Sequence, residues 1–203
     1  MTTTFSYSVS KTTVASVCNT NATDGVLRTT FTTLAYLIDG PNGPFLVSLA
    51  RNILVGVGVE VQPVAYTFNT VPGAQGDKYL VGCHSSLWGN LELASNGSCS
   101  GRGCCQASLP ETMPLTGVSV GMPTKTLNNS LWINNPCSFA MVVEDSWYNF
   151  TTMDLYGNTS NKFPRGVPYV IDFAIRNAKC PVRGQQPPLD YACVSGNSTC
   201  ADT

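Results

Sequence analysis

The chain has 203 residues, 43% of them hydrophobic and only 11% charged, and a formal net charge of −1. A domain of this length hides roughly 70% of the surface its unfolded chain exposes, so one or two small domains with a proper core fit. The near-zero net charge excludes a general binder of nucleic acid or anionic membrane. A charged fraction well below the usual ~25% leaves Ser, Thr, Asn and Gly to cover the surface.

Nine cysteines, Cys18, Cys83, Cys99, Cys104, Cys105, Cys137, Cys180, Cys193 and Cys200, point to an oxidising compartment. Six N-x-S/T acceptors for N-linked sugar, beginning at Asn21, Asn96, Asn128, Asn149, Asn158 and Asn197, agree with secretion. The amino terminus, MTTTFSYSVSKTTVASVC, does not read as a signal peptide, having neither a basic n-region nor an unbroken apolar h-region. The expectation is therefore an incomplete product or a chain outside the secretory route.

Residues 1–43 are Thr-rich, end in the turn cluster DGPNGP and are expected to be the least ordered part. The apolar stretch Phe45 to Val61 is 17 residues long and contains Arg51, Asn52 and Glu60, so it reads as buried strands, not a membrane span. Within it Val55, Val57, Val59 and Val61 alternate with Gly56, Gly58 and Glu60, placing one apolar face on a core. The same period predicts strands with Phe139, Met141, Val143 and Trp147 on one face, and with Tyr169, Ile171, Phe173 and Ile175 opposite Asp172 and Arg176. The second of these reads as a half-exposed strand. Thirteen prolines and eighteen glycines break up the rest, and no 3.6-residue pattern lasts three turns. The predicted class is mainly β: a small disulfide-stapled, irregular sheet or sandwich with short helices at most, over residues 44–183. Residues 184–203 read as a linker and the start of a second module.

The run NGSCSGRGCCQASLP, residues 96–110, holds the densest chemistry. Cys99, Cys104 and Cys105 with the sole histidine, His84, are four formal zinc ligands, but no C-x2-C pair exists and adjacent residues fit one tetrahedral ion poorly. No metal or cofactor is predicted. A bond between Cys104 and Cys105 themselves would close a strained ring. Each is expected to pair with a distant cysteine, with Gly101 and Gly103 supplying the tight turn. Setting aside Cys18 and the tail cysteines, the six at 83, 99, 104, 105, 137 and 180 allow fifteen pairings. Cys193 and Cys200 in the tail are further disulfide candidates, and the odd total raises the expectation that Cys18, Cys193 and Cys200 lack their partners here.

Catalytic patterns are weak. There is no G-x-S-x-G elbow, His84 reads as a polar neighbour of a cross-link, and GVGVEV lacks the Gly-Lys of a phosphate loop. Glu144 and Asp145, as neighbours on a strand, face opposite ways and cannot flank one glycosidic bond. Between residues 162 and 183, Lys162, Arg165, Arg176, Lys179 and Arg183 stand against the single acid Asp172. That patch suits the carboxylates of an acidic polysaccharide or, equally simply, guards a strand edge against aggregation. Trp88, Trp132, Trp147 and Tyr148 have the faces to stack on sugars, although large aromatics in a small β domain usually lie in the core.

Five segments in order, YLVGC, NGSCSGRGCCQASLP, NPCSFAMVVEDSWYNF, FPRGVPYVIDFAIRNAKC and DYACVSGNSTCADT, together resemble the extracellular region of plant wall-associated receptor kinases, especially those of grasses. The resemblance spans about residues 78–203. It implies an apoplastic domain at the outer face of the plasma membrane that contacts pectin or oligogalacturonides, with DYACVSGNSTC opening an EGF-like module. In the family a membrane helix and a kinase follow; this chain carries neither motif. Phe68 stands where many relatives have a cysteine, and residues 1–43 do not resemble the family's galacturonan-binding block. The implied role is a non-catalytic wall-polysaccharide-binding or scaffold segment with Lys162, Arg165, Arg176 and Lys179 as ligand residues. The alternative is a protein-interaction module that meets full-length receptors or foreign ligands.

Overall fold

The computed structural model describes residues 4–12, 14–21, 27–32, 34–35, 45–68, 77–97, 99–110, 117–121, 131, 134–156, 162–174, 181 and 186. They contain thirteen strands and only single turns of helix, as the mainly β reading expects. The strands are β1 (Thr4–Thr12), β2 (Ala15–Asn21), β3 (Leu27–Thr32), β4 (Leu34–Ala35), β5 (Phe45–Val47), β6 (Asn52–Val57) and β7 (Glu60–Phe68). They continue with β8 (Asp77–Gly82), β9 (Ser85–Ser86), β10 (Cys104–Ser108), β11 (Gly117–Gly121), β12 (Cys137–Glu144) and β13 (Val167–Ala174). Three antiparallel sheets result, in the orders β10-β6-β12-β2-β3, β4-β11-β7-β8 and β1-β13-β5, with β9 pairing separately to β7.

The β10-β6-β12-β2-β3 sheet is the middle layer. Side chains alternate across it, as the two-residue period of a strand requires. Leu54, Ala140, Val142, Ala15 and Val17 share one cluster with Val47, Val61, Ala65, Tyr169 and Ile171 from the other two sheets. Val55, Val57, Phe139, Met141 and Val143 form the second cluster, covered by Leu87, Ala94, Phe150 and Leu155 from loops and single 3-10 turns. In register Phe139 faces Val57, Met141 faces Val55 and Val142 faces Leu54, so each apolar layer is built from directly opposed pairs.

This corrects three expectations about faces. The alternating run Val55 to Val61 is not one strand: β6 ends at Val57 and β7 begins at Glu60, so Val55, Val57 and Val59 join one cluster while Val61 joins the other. The break lies at Gly58, where a Cβ would stand 2.6 Å from that of Ser138. No side chain fits there. β12 is buried on both faces through Val143, and Trp147 lies beyond it in a turn, its N–H donating to Glu144 O at 3.0 Å. β13 is likewise buried at every position from Val167 to Ile171, Val170 on the face expected to be exposed included; the side chains of Asp172 and Arg176 lie outside the described residues. Strands enclosed on both sides lose their polar alternation, which is why their sequences read as nearly continuous apolar runs.

The first 43 residues supply β1 to β4, with β1 paired to β13 and β2 to β12. In TFSYSVSKT, Phe5, Tyr7 and Val9 alternate with Ser6, Ser8 and Ser10, a two-residue period beneath a Thr-rich composition.

Asn52 joins two sheets. Its Nδ2 donates to Ser48 O at 2.6 Å and Val170 O at 2.9 Å, and its Oδ1 accepts from Val170 N at 2.8 Å. The carboxamide thus replaces a missing backbone partner for β13, in a site 2% exposed. Asn52→Leu leaves the Val170 N–H and the Ser48 carbonyl without these bonds and is expected to cost about 2–4 kcal/mol. Urea unfolding of the oxidised protein measures it, and a change under about 0.5 kcal/mol would contradict this role.

Candidate functional site

β10 is an edge strand laid against β6, with Cys104 opposite Val57 and Cys105 opposite Gly56. Adjacent residues on a strand project to opposite faces, so the two thiols of one dipeptide serve two layers. Cys104 lies in the cluster beneath the irregular segments and is bonded to Cys99. Cys105 points the way Gly56 does, toward β7, where a Cβ on Gly56 would come within 2.8 Å of Pro63 Cδ. It is bonded to Cys83, immediately after β8. Cys105 therefore reaches 22 residues back, as expected, whereas Cys104 pairs locally, 5 residues away.

The glycines perform the predicted task. Gly101 and Gly103 have φ of 95° and 81°, in the left-handed region open to glycine. Gly101 N–H donates to Cys104 O at 2.8 Å, Gly101 O accepts from Ser86 N at 3.0 Å, and Gly103 O accepts from Gly58 N at 3.0 Å. The turn is thereby tied to both neighbouring segments. With Cys99, Cys104 and Cys105 all in disulfides and His84 exposed, none of the three sulfurs is a thiolate able to ligate zinc.

The third bridge was not anticipated. Cys18, set aside on sequence grounds, is bonded to Cys137 directly across the β2–β12 pair, 119 residues away. The buried alternation of Ala15 and Val17 was the available signal, since it marks a strand that needs a neighbour. Cys180, Cys193 and Cys200 lie outside the described residues.

Beside this clamp lies the irregular layer. Tyr148 Oη donates to Asp154 Oδ2 at 3.0 Å, and the same oxygen accepts from Thr151 N at 3.0 Å. Burial, with the Asp154 charge and hydrogen bond added, pushes the Tyr148 phenol well above its ordinary range. Asn96 Oδ1 accepts from Thr152 N at 2.8 Å, and Gly97 N donates to Phe150 O at 2.7 Å, so residues 96–97 are sewn to 150–152. Lys162 Nζ donates to Met153 O at 3.0 Å and stands 5.8 Å from the centre of the Phe139 ring. Burial lowers the pKa of its amine, an effect opposed by Asp154.

The proposed ligand residues divide accordingly. Lys162 is half-buried and engaged, whereas Arg165 is exposed on the turn that leads into β13; Arg176 and Lys179 lie outside the described residues. Among the aromatics, Tyr148 is a packed residue, but Trp88 and Trp147 are 48% and 44% exposed, correcting the expectation of core tryptophans; Trp132 lies outside the described residues. Of the acceptor asparagines, Asn96 and Asn149 are exposed and Asn21 ends β2, while Asn128, Asn158 and Asn197 lie outside the described residues. β12 ends at Glu144, and Asp145 belongs to the following turn. Among the described residues no helix is long and apolar enough to cross a membrane.

These features define a small all-β domain whose layers are held by disulfides. Compared with known proteins, the chain is 32% identical to wall-associated receptor kinase 2 of Arabidopsis thaliana over 140 residues, 68% of this chain and 17% of that protein. It is 28% identical to wall-associated receptor kinase 1 of the same plant over 156 residues, 76% of this chain and 19% of that protein. With wall-associated receptor kinase 5 it shares 28% over 127 residues, 62% of this chain and 16% of that protein. The chain is a relative of the extracellular region of the wall-associated receptor kinases. It spans less than a fifth of the length of these curated relatives. No protein-family model matches it, and no solved structure does.

Bridges that close longer loops restrict the unfolded chain more. Replacing Cys18 and Cys137 together by alanine is expected to cost about 5 kcal/mol, Cys83 and Cys105 about 3, and Cys99 and Cys104 about 2. Chemical denaturation of the three double variants gives the order directly; a reversed order would mean that native packing, not loop closure, dominates.

Proposed function

We propose that the chain is a non-catalytic ectodomain segment that faces the plant cell wall and binds acidic polysaccharide, pectin or oligogalacturonide, at the outer side of the plasma membrane. The kinship with wall-associated receptor kinases supports the location, and the tail from residue 184 fits the start of an EGF-like module. The observation that carries the binding is Arg165, exposed on the turn into β13 at the head of a segment with five basic residues and one acid. A guanidinium presents two parallel N–H donors to a carboxylate, and a galacturonan carries a carboxylate on each unesterified sugar. Lys162 has a different part: it holds the Met153 carbonyl and supports the turn that flanks Arg165.

A protein-interaction module is the second reading. It rests on Trp88 and Leu93, each 48% exposed around the 3-10 turn Leu91–Leu93. Exposed aromatics of this kind anchor interfaces.

Oxidised protein is expected to be retained on immobilised polygalacturonate at physiological ionic strength and released by added salt, which screens exposed charges. Arg165→Ala weakens retention without changing the thermal midpoint, while Lys162→Ala lowers both. Unretarded passage of the wild-type protein at physiological salt would defeat the polysaccharide reading. Binding to a purified receptor ectodomain that is lost on Trp88→Ala would support the second one instead.

A further inference from the structure

Trp147 is 44% exposed and stands two residues before Asn149, the first residue of an N-x-T acceptor. It leans on Phe163 with ring centres 6.3 Å apart and planes tilted by 52°. Along WYNFT, residues 147–151, exposure alternates: Trp147, Asn149 and Thr151 face solvent, while Tyr148 and Phe150 turn inward. Tyr148 is held by Asp154 and Phe150 is 2% exposed within the core, so this alternation is anchored from beneath. Trp147 ends the turn that follows β12, so the indole stands two residues ahead of the Asn149 carboxamide and both are exposed. Asn149 and Thr151 are the ends of an N-x-T acceptor. Opposite Asn149 sits Gly97, whose missing Cβ would be 3.6 Å from Asn149 Oδ1, so no side chain there crowds the amide.

We propose that Asn149 carries an N-linked glycan and that its first N-acetylglucosamine rests on the face of Trp147. In the attachment, Asn149 Nδ2 forms a bond to the anomeric carbon of a lipid-pyrophosphate-linked oligosaccharide. The C–O bond to pyrophosphate breaks, the pyrophosphate leaves with its electrons, and the amide nitrogen gives up one proton. The apolar C–H face of the sugar then meets the electron-rich face of the indole. Asn96 is differently placed: its Oδ1 ties down Thr152, and two residues before it stands the buried Ala94, with no ring for a sugar to cover. Trp147 is thus reserved for the protein's own sugar, leaving the Arg165 edge to external carboxylates.

The test is to secrete the chain from cultured plant cells behind a heterologous leader and examine it by intact-glycopeptide mass spectrometry. Glycan on Asn149 is expected, with occupancy reduced by Trp147→Ala and kept by Trp147→Phe. Asn149→Gln should lower the thermal midpoint by a few degrees when Trp147 is present and leave it unchanged in the Trp147→Ala background. A folded, secreted wild-type protein with bare Asn149 would overturn the site. An equal loss of midpoint with and without Trp147 would overturn the stacking.

Discussion

Two adjacent side chains on a β-strand cannot face the same way, and this rule underlies the arrangement of the whole domain. Because Cys104 and Cys105 sit on edge strand β10, one bridge holds the irregular segments and the other holds the sheet that contains β7 and β8. A single dipeptide therefore fastens the layers on both sides of the middle sheet. The left-handed glycines at 101 and 103 allow the tight turn before that strand, and at 103 the missing Cβ leaves room for Leu87 and Leu155. A chain with few charges and much irregular backbone gains from such cross-links, which limit the freedom of the unfolded state instead of relying on more core.

Elsewhere, neutral polar side chains take the part that charges often play. Asn52 completes the hydrogen bonding between β6 and β13, Asn96 secures the turn at Thr152, and Ser138 Oγ donates to Glu60 O at 3.1 Å. Amides and hydroxyls satisfy buried backbone groups without the desolvation penalty of an ion. Asp154 is an exception that supports the rule: it is partly exposed, and its Oδ2 accepts from both the Tyr148 hydroxyl and the Thr151 amide.

The same economy shapes the surface. With so few charges in the chain, Arg165 is an exposed cation on the turn into β13. Exposed rings and amides, as at Trp147 and Asn149, provide the chemistry that sugars recognise or carry.

The sequence alone determined that this is a β protein stapled by sulfur, because a two-residue apolar period and nine cysteines are local facts that require no partner to be read. It also marked the glycine turn at 101–103 and, through five segments in order, the kinship. Tertiary structure decided what depends on distance along the chain: that Cys18 meets Cys137, that Cys104 pairs locally while Cys105 reaches Cys83, and that Val55 and Val61 belong to different cores. It also decided that Trp147 lies outside and Lys162 is half-buried. A period of two says that a face is apolar, but whether the opposite face is also covered depends on which layers arrive there. Within the Thr-rich first 43 residues, β1 and β2 form against β13 and β12, partners more than a hundred residues away that composition does not reveal.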